Sequence, residues 1–292
     1  MWPFLVMGSF FVVVDVLALL LVAPFGGSGL FAFEDAGDPV NVVYFVVMML
    51  VSTGVILGLR RFRGGWLVRW VLRGAVWFSF FSTFYSLAWF VVDDPLATLV
   101  SLVSSSVFVW VLVRWPRWYI VDAAAILLGS VTTAVLGISF SAPLVVVLLL
   151  VLAVYDAVSV YKTKHMLTLA EMILGSGLPL MVVIPKGRGY GDVEKVVIRS
   201  EAPPAGGERR GFYMGLGDIV LPGCLVVSVY WGLGLAGAPV VLAVLLGTLL
   251  GFAVLSVFVA GGRPQAGLPF LCGGAVLGYV VSSLALFGRL VG

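Results

Sequence analysis

Long apolar runs, separated by short polar breaks, follow one another along the whole 292-residue chain. A helix needs about 20 apolar residues to cross the hydrocarbon core of a bilayer. A helix also satisfies its own backbone hydrogen bonds in lipid, and the alternating pattern of a membrane β-barrel is not seen. The pattern therefore predicts an all-α polytopic membrane protein with nine transmembrane helices, at residues 4–23, 40–59, 70–92, 96–113, 118–139, 142–162, 213–232, 237–260 and 267–288.

The composition supports this class of protein. Hydrophobic residues make up 62% of the chain and charged residues only 11%, whereas soluble domains carry about 25% charged residues. The first apolar run has no basic start and contains Asp15, so we interpret it as a retained transmembrane helix and not as a signal peptide. Cys224 and Cys272 lie in apolar runs, which favours small buried side chains over a disulfide or a metal site.

The distribution of basic residues predicts the orientation. If the N-terminus is cytoplasmic, all but one of the 17 lysine and arginine residues lie in or beside cytoplasmic loops, and Arg289 is the exception. The loops on the opposite side carry acidic residues such as Asp93 and Asp94. Because short cytoplasmic loops are enriched in lysine and arginine, we expect a cytoplasmic N-terminus and a C-terminus outside. The predicted location is the cell membrane.

The whole chain, residues 1–292, is predicted to form a single membrane-embedded domain. Residues 1–175 contain the first six helices, and the sixth continues as an amphipathic extension along the inner membrane surface. Residues 176–212 are rich in glycine, proline and charges of both signs, which is typical of a flexible cytoplasmic loop. Residues 213–292 contain the last three helices.

Two acids within hydrocarbon are the candidates for chemistry. Asp156 lies in VLAVYDAVSV and Asp218 in YMGLGDIVLPG, and a carboxyl group at membrane depth is costly to bury, so its presence there indicates a function. Asp156 lies six residues before Lys162 and Asp218 eight residues after Arg210. A helical rise places them roughly 9 and 12 Å from those charges, at similar depth on antiparallel helices. Two adjacent carboxyls that share one proton provide an acid and a base, as in an aspartic protease.

The neighbours of the two acids strengthen this prediction. Gly215, Leu216 and Gly217 precede Asp218, and glycines let another backbone approach closely and weaken a helix locally. A protease needs both properties, because its substrate must lie as an extended chain across the site. Tyr155, directly before Asp156, offers an aromatic face and a hydroxyl group.

The two motifs, together with nine spans and a cytoplasmic N-terminus, resemble the presenilin and signal peptide peptidase family of GxGD intramembrane aspartyl proteases. The motif residues are Tyr155-Asp156 and Gly215-Leu216-Gly217-Asp218. The resemblance covers essentially the whole chain, and the compact loops favour a microbial, archaeal homologue. It implies that Asp156 and Asp218 are the catalytic pair of an endopeptidase that cleaves transmembrane helices of other proteins.

The same resemblance extends to the start of the ninth helix. The family has a Pro-Ala-Leu motif there, and this chain has Ala266, Gly267, Leu268 and Pro269. The resemblance implies that these residues form the floor of the active site. It also implies substrates that are single-span membrane proteins or resemble signal peptides. We expect activity in the lipid bilayer without partner subunits, cofactors, a metal or nucleic acid.

Other functions receive less support from the residues. The single histidine, His165, lies outside the predicted hydrocarbon spans, which argues against an intramembrane zinc or serine protease. Basic residues interleaved with aromatics are explained by anchoring at the membrane interface and do not require nucleic-acid binding. An ion or proton transporter lined by Asp15, Asp156 and Asp218 remains an alternative, although the chain lacks the paired repeats of many transporters. A non-catalytic membrane scaffold is a third possibility.

Overall fold

The structure is a computed structural model that describes residues 2–63, 65–89, 91–115, 117–160, 179, 181–185, 211–260 and 265–291. These residues form nine α-helices and one antiparallel pair of strands. The helices are α1 Trp2–Ser28, α2 Val40–Arg63, α3 Gly65–Trp89, α4 Asp94–Arg114, α5 Trp118–Ile138, α6 Ala142–Val158, α7 Leu216–Leu233, α8 Ala238–Ala260 and α9 Leu268–Phe287. The strands are β1 Met181–Pro185 and β2 Gly211–Gly215, and a 3₁₀ turn, Gly234–Gly237, joins α7 to α8.

Several of these helices are long and apolar enough to cross a membrane. Within the described ranges there are five such stretches, and one of them contains both α7 and α8; two shorter apolar helices accompany them. The long stretches are Phe4–Ser28, Asp94–Arg114, Trp118–Ile138, Leu216–Val259 and Leu268–Phe287, and the shorter ones are Val40–Ile56 and Ala142–Val158. The prediction of a polytopic helical membrane protein is confirmed at this level.

The first helix is longer than its predicted span. The sequence Gly-Gly-Ser-Gly predicts a break after residue 23, but α1 continues to Ser28 and ends at Gly29, which has a φ of 71°. A β-carbon at Gly26 would lie 2.7 Å from the indole ring of Trp231. Because close packing against α7 requires a glycine there, tertiary contact outweighs the low helix propensity of this residue.

Two short stretches in and beside the predicted flexible loop, residues 176–212, form strands. Met181–Pro185 forms β1, which pairs with β2 so that Val183 lies opposite Tyr213. The β-branched residues of MVVIP favour a strand, and their pairing explains why α7 begins at Leu216 and not at 213. The depth estimate for Asp218 assumed helix over part of β2 and therefore no longer holds. The amphipathic extension and the rest of this loop lie outside the described residues.

The chain divides into two compact units. The first consists of Met1–Val42, Gly129–Thr168 and Leu216–Gly292, and the second of Val43–Leu128 and Leu169–Gly215. In the first unit, α1, the second half of α5 and α7 share a core of small and branched side chains and one phenylalanine. Its buried members are Ala18, Val22, Phe25, Val131, Ala134, Ile138 and Val227.

Helices α8 and α9 of the first unit are in backbone contact. Gly247 and Gly251 of α8 face Gly274 and Gly278 of α9, and a β-carbon on any of the four would collide with a carbonyl group of the other helix. Small residues of this kind allow close helix approach in membranes. The contact therefore fixes α9, and with it the residues at its start, against α8.

Adjacent glycines of α9 provide a matched test of this contact. We expect Gly274→Ala to lower the free energy of unfolding by about 1–3 kcal/mol, because its methyl group overpacks the helix interface. Among the described residues, no atom outside its own stretch of helix lies within 4 Å of the Gly273 β-carbon position, so Gly273→Ala should be neutral or stabilising by up to about 1 kcal/mol. Thermal denaturation in detergent measures both, and equal effects would contradict the packing described here.

In the second unit, aromatic residues join α3 to α4. The rings of Phe80 and Phe108 have centroids 4.5 Å apart, and Trp77 Nε1 donates a hydrogen bond of 3.1 Å to Ser106 Oγ. These contacts hold two consecutive helices together as a hairpin.

Candidate active site

The carboxyl group of Asp156 lies in the last turn of α6. The residue is 4% exposed, and its Oδ2 accepts a hydrogen bond of 3.2 Å from the backbone N–H of Leu268. The N–H of Gly267 also interacts with this carboxyl group. Asp156 is therefore hydrogen-bonded to the first residue of α9 and lies near the residue before it.

The carboxyl group of Asp218 lies beside the same two residues. Asp218 is the third residue of α7, and a β-carbon built on Gly267 would lie 3.5 Å from Asp218 Oδ2 and 3.6 Å from its Cγ. The Asp218 carboxyl therefore lies beside the α-carbon of Gly267, and the Asp156 carboxyl lies on the side of its N–H. The two predicted catalytic acids, 62 residues apart in sequence, converge on the start of α9.

Cys272 lies one turn further along α9. Its side chain interacts electrostatically with both Asp218 and Asp156. Its side chain is fully buried and in the free thiol form. The sequence predicted only a small buried side chain at Cys272, and its electrostatic interaction with the two acids was not predicted. The spacing of Cys272 could have indicated this interaction. Cys272 follows Leu268 by four residues, and residues four apart on a helix lie on the same face of it.

Helix ends make this site favourable for negative charge. Asp218 lies in the first turn of α7, and Asp156 accepts a hydrogen bond from the first N–H of α9. The N-terminus of a helix carries partial positive charge, which stabilises an anion. Two carboxyls that share one proton carry a single negative charge, so the environment suits a pair composed of one acid and one base.

The remaining residues of the predicted site occupy different positions. Leu216 is 8% exposed, and its Cδ1 would lie 2.9 Å from a β-carbon on Gly129. Gly217 is exposed, and no other described part of the chain comes within 4 Å of its β-carbon position, while Gly215 is the last residue of β2. Tyr155 is half-buried.

The motif segment before α9 is buried beside the two acids. Ala266 is 1% exposed and Leu268 is 6% exposed. Gly267 caps α9, and Pro269 occupies its first turn, where a missing N–H leaves no helical hydrogen bond unmade. No group of three or more potential metal-binding residues occurs within the described parts of the chain.

Comparison with known proteins connects this geometry to a family. The family model for signal-peptide peptidase and presenilin aspartyl protease matches residues 8–288. The chain belongs to this signal-peptide peptidase and presenilin family. Two solved structures of a presenilin family intramembrane aspartate protease have the same fold. One, in space group C222, is 31% identical, has a TM-score of 0.68, and the match covers 96% of each chain.

The other solved structure of a presenilin family intramembrane aspartate protease, in space group P2, is 32% identical with a TM-score of 0.71. The match covers 98% of this chain and 99% of that one. No curated protein sequence matches the chain. The presenilin-family chain is therefore a multi-pass membrane protein and an intramembrane aspartic endopeptidase that acts on transmembrane substrates in the bilayer. No observation favours the transporter alternative.

Proposed function

We propose that Asp156 and Asp218 are the catalytic pair of this endopeptidase. One observation carries the proposal: both carboxyls lie against Gly267 and Leu268, at the start of one helix. They are acids within apolar helices, and the family to which the chain belongs cleaves peptides with aspartates. Acids that only stabilised the fold would not need to meet at one point.

The pair supplies general acid and general base in the same step. The ionised carboxylate takes a proton from a water molecule, whose oxygen attacks the scissile carbonyl carbon, while the protonated carboxyl donates to the carbonyl oxygen. A tetrahedral diol results. It collapses when its C–N bond breaks: the carboxyl that took the water proton delivers it to the departing amine, while the other carboxylate takes a proton from one hydroxyl of the diol, which becomes the new carboxylic acid. Both acids return to their starting protonation, and no covalent bond to the enzyme forms.

The residues beside the acids have supporting roles in this proposal. Gly267 leaves room next to Asp218, and the Leu268 N–H orients Asp156. Ala266 and Pro269 hold this segment in place at the start of α9. Exposed Gly217 leaves the backbone beside Asp218 accessible, which suits an extended substrate chain. Along with Tyr155, Gly215 and Leu216, these residues make up the proposed active-site surroundings.

We also propose how the enzyme sits in its membrane. The chain acts as a single domain of nine spans in the cell membrane, with the N-terminus in the cytoplasm and the C-terminus outside. Asp156 lies at the end of α6 and Asp218 at the beginning of α7. The segment that joins them carries many of the basic residues, which supports a cytoplasmic position. Single-span proteins or signal-peptide-like segments are the proposed substrates, cleaved without partner subunits.

A cleavage assay with the purified chain in liposomes tests these proposals together. A single-span substrate is added with a tag at each end, and the products are identified by mass spectrometry. We expect cleavage within the substrate's transmembrane segment, toward its cytoplasmic end, because both acids lie near the helix ends assigned to that side. Cleavage only in the outer half would contradict the orientation. Absence of cleavage until a further protein is added would contradict activity without partners.

A further inference from the structure

A third acid, Asp15 of α1, is buried in the first unit and has no part in the proposed chemistry. Asp15 is 3% exposed, and its Oδ1 has no hydrogen-bond partner among the described residues. An acid in a membrane helix is costly to bury, whereas an apolar residue would fill the same space at no such cost. Its position therefore calls for an explanation beyond packing.

The Asp15 carboxyl lies directly against the backbone of α7. Gly223 has no side chain, and the place where its β-carbon would be is occupied by Asp15 Oδ1. Thr133 of α5 closes the same space, with its Cγ2 2.9 Å from that β-carbon position. We refer to this space, which lies between Gly223 and Thr133 and holds the Asp15 carboxyl, as the Gly223 notch.

The Gly223 notch lies behind Asp218 on the same helix. Five residues separate the two positions, which corresponds to about 7.5 Å along the helix and a rotation of about 140°. Asp218 therefore faces the start of α9 while Gly223 faces α1 and α5. Pro222 lies between them and lacks the N–H that a helix uses for its backbone ladder, so α7 is easier to bend here.

The polar groups in the notch explain why residue 15 is polar. Thr133 Oγ1 is buried and, like Asp15 Oδ1, has no hydrogen-bond partner among the described residues. Rotation about the Cα–Cβ bond of Thr133 can bring Oγ1 into the place of Cγ2, which is the atom now nearest the notch. The hydroxyl and the carboxyl can then satisfy each other, and buried polar groups are strongly favoured to do so.

We propose that Asp15 is a positioning residue for proteolysis. Its carboxyl fills the Gly223 notch and holds α7 in the rotation that brings Asp218 to Gly267 and Asp156. This inference rests on the proposed catalytic role of Asp218. Asp15 touches neither the substrate nor the reacting atoms, and acts only through the backbone of α7.

Size complementation at the notch tests the proposal. Asp15→Ala empties the notch, so we expect kcat to fall by about 10²-fold while KM stays within about twofold, as for a misplaced catalytic group. Gly223→Ala alone should also lower kcat, because its methyl group collides with the carboxyl. In the double variant the methyl group occupies the vacated space, so kcat should recover to at least about tenfold above that of Asp15→Ala. Asp15→Asn keeps the shape and should remain within about threefold of the wild type.

Two control variants distinguish a failure of the proposed role of Asp15 from a failure of the proposed function. Val14 is buried on α1 and lies against Gly129 of α5, so Val14→Ala should lower Tm and leave kcat nearly unchanged. Asp218→Asn, run in the same series, should be inactive, and cleavage by it would overturn the proposed function and this inference with it. With Asp218→Asn inactive, three results overturn the role of Asp15 alone. The first is a normal kcat in Asp15→Ala. The second is a double variant, Asp15→Ala with Gly223→Ala, whose kcat is no higher than that of Asp15→Ala alone. The third is loss of activity in Asp15→Asn.

Discussion

Replacing Asp156 or Asp218 by asparagine is expected to reduce the cleavage rate by about 10³-fold or more, because general acid–base catalysis typically contributes 10²–10⁴-fold. An amide has nearly the shape of the carboxyl group but cannot take a proton from water or give one to the scissile carbonyl. Each single variant removes one half of a pair that works only as a unit, so either change should suffice. Initial rates on a purified single-span substrate measure the effect.

Measurements of folding and of a control variant distinguish loss of catalysis from loss of structure. Both asparagine variants should have a Tm close to that of the wild type, because the substitution preserves size. Asp122 is a buried acid of the second unit, 4% exposed, and Asp122→Asn makes the same chemical change at a residue that has no part in the proposed chemistry. It should cleave at nearly the wild-type rate. Cleavage by Asp156→Asn or Asp218→Asn at a rate like that of Asp122→Asn would refute the catalytic assignment.

Enlarging Gly267 is expected to have the second largest effect. An alanine β-carbon would be in ordinary contact with Asp218, at 3.5 Å from Oδ2, and 3.7 Å from Leu255 Cδ2. Gly267→Ala should therefore cost only a few-fold in rate. The two further methyl groups of Gly267→Val have to displace the Asp218 carboxyl or the substrate, and a displacement of about 1 Å can cost about 10²-fold in kcat.

The matched control for this series is on the same helix. Gly273 has open space at its β-carbon position, so Gly273→Val should retain activity although it introduces the same side chain into α9. Rates and Tm values for the three variants separate crowding of the site from damage to the helix. A Gly267→Val enzyme with normal kcat would show that residue 267 does not border the reacting groups.

The two acids could be found from the sequence because their signal is local. Asp156 and Asp218 are ionisable residues in apolar helices. The free-energy cost of placing a carboxyl group in hydrocarbon does not depend on the details of packing. Hydrophobic runs likewise predicted the helices, since the bilayer sets their length. The proposed role of Gly267 and Leu268 came from the family resemblance, because nothing local in Ala-Gly-Leu-Pro indicates a contact with Asp156 more than 100 residues away.

Features that depend on long-range packing were not predictable in the same way. The strand Gly211–Gly215 was assigned in part to a helix, because its partner Met181–Pro185 lies about 30 residues earlier in the chain. The extension of α1 through Gly26 depends on Trp231. The contact between Asp15 and Gly223 likewise joins residues that no periodicity relates. In each case a partner distant in sequence decides the local structure.

The most direct test of the catalytic pair is the affinity of a peptide inhibitor with a hydroxyl group in place of the scissile carbonyl. Such a group mimics the tetrahedral diol and contacts both carboxyls at once. Its Kd should be measured for the wild type, for Asp156→Asn, for Asp218→Asn and for the double variant. Each single variant should weaken binding by about 10–100-fold, the magnitude of a hydrogen bond to a charged group, and the double variant should lose little more. Full affinity in either single variant, or losses that simply add, would contradict a pair that acts as one unit.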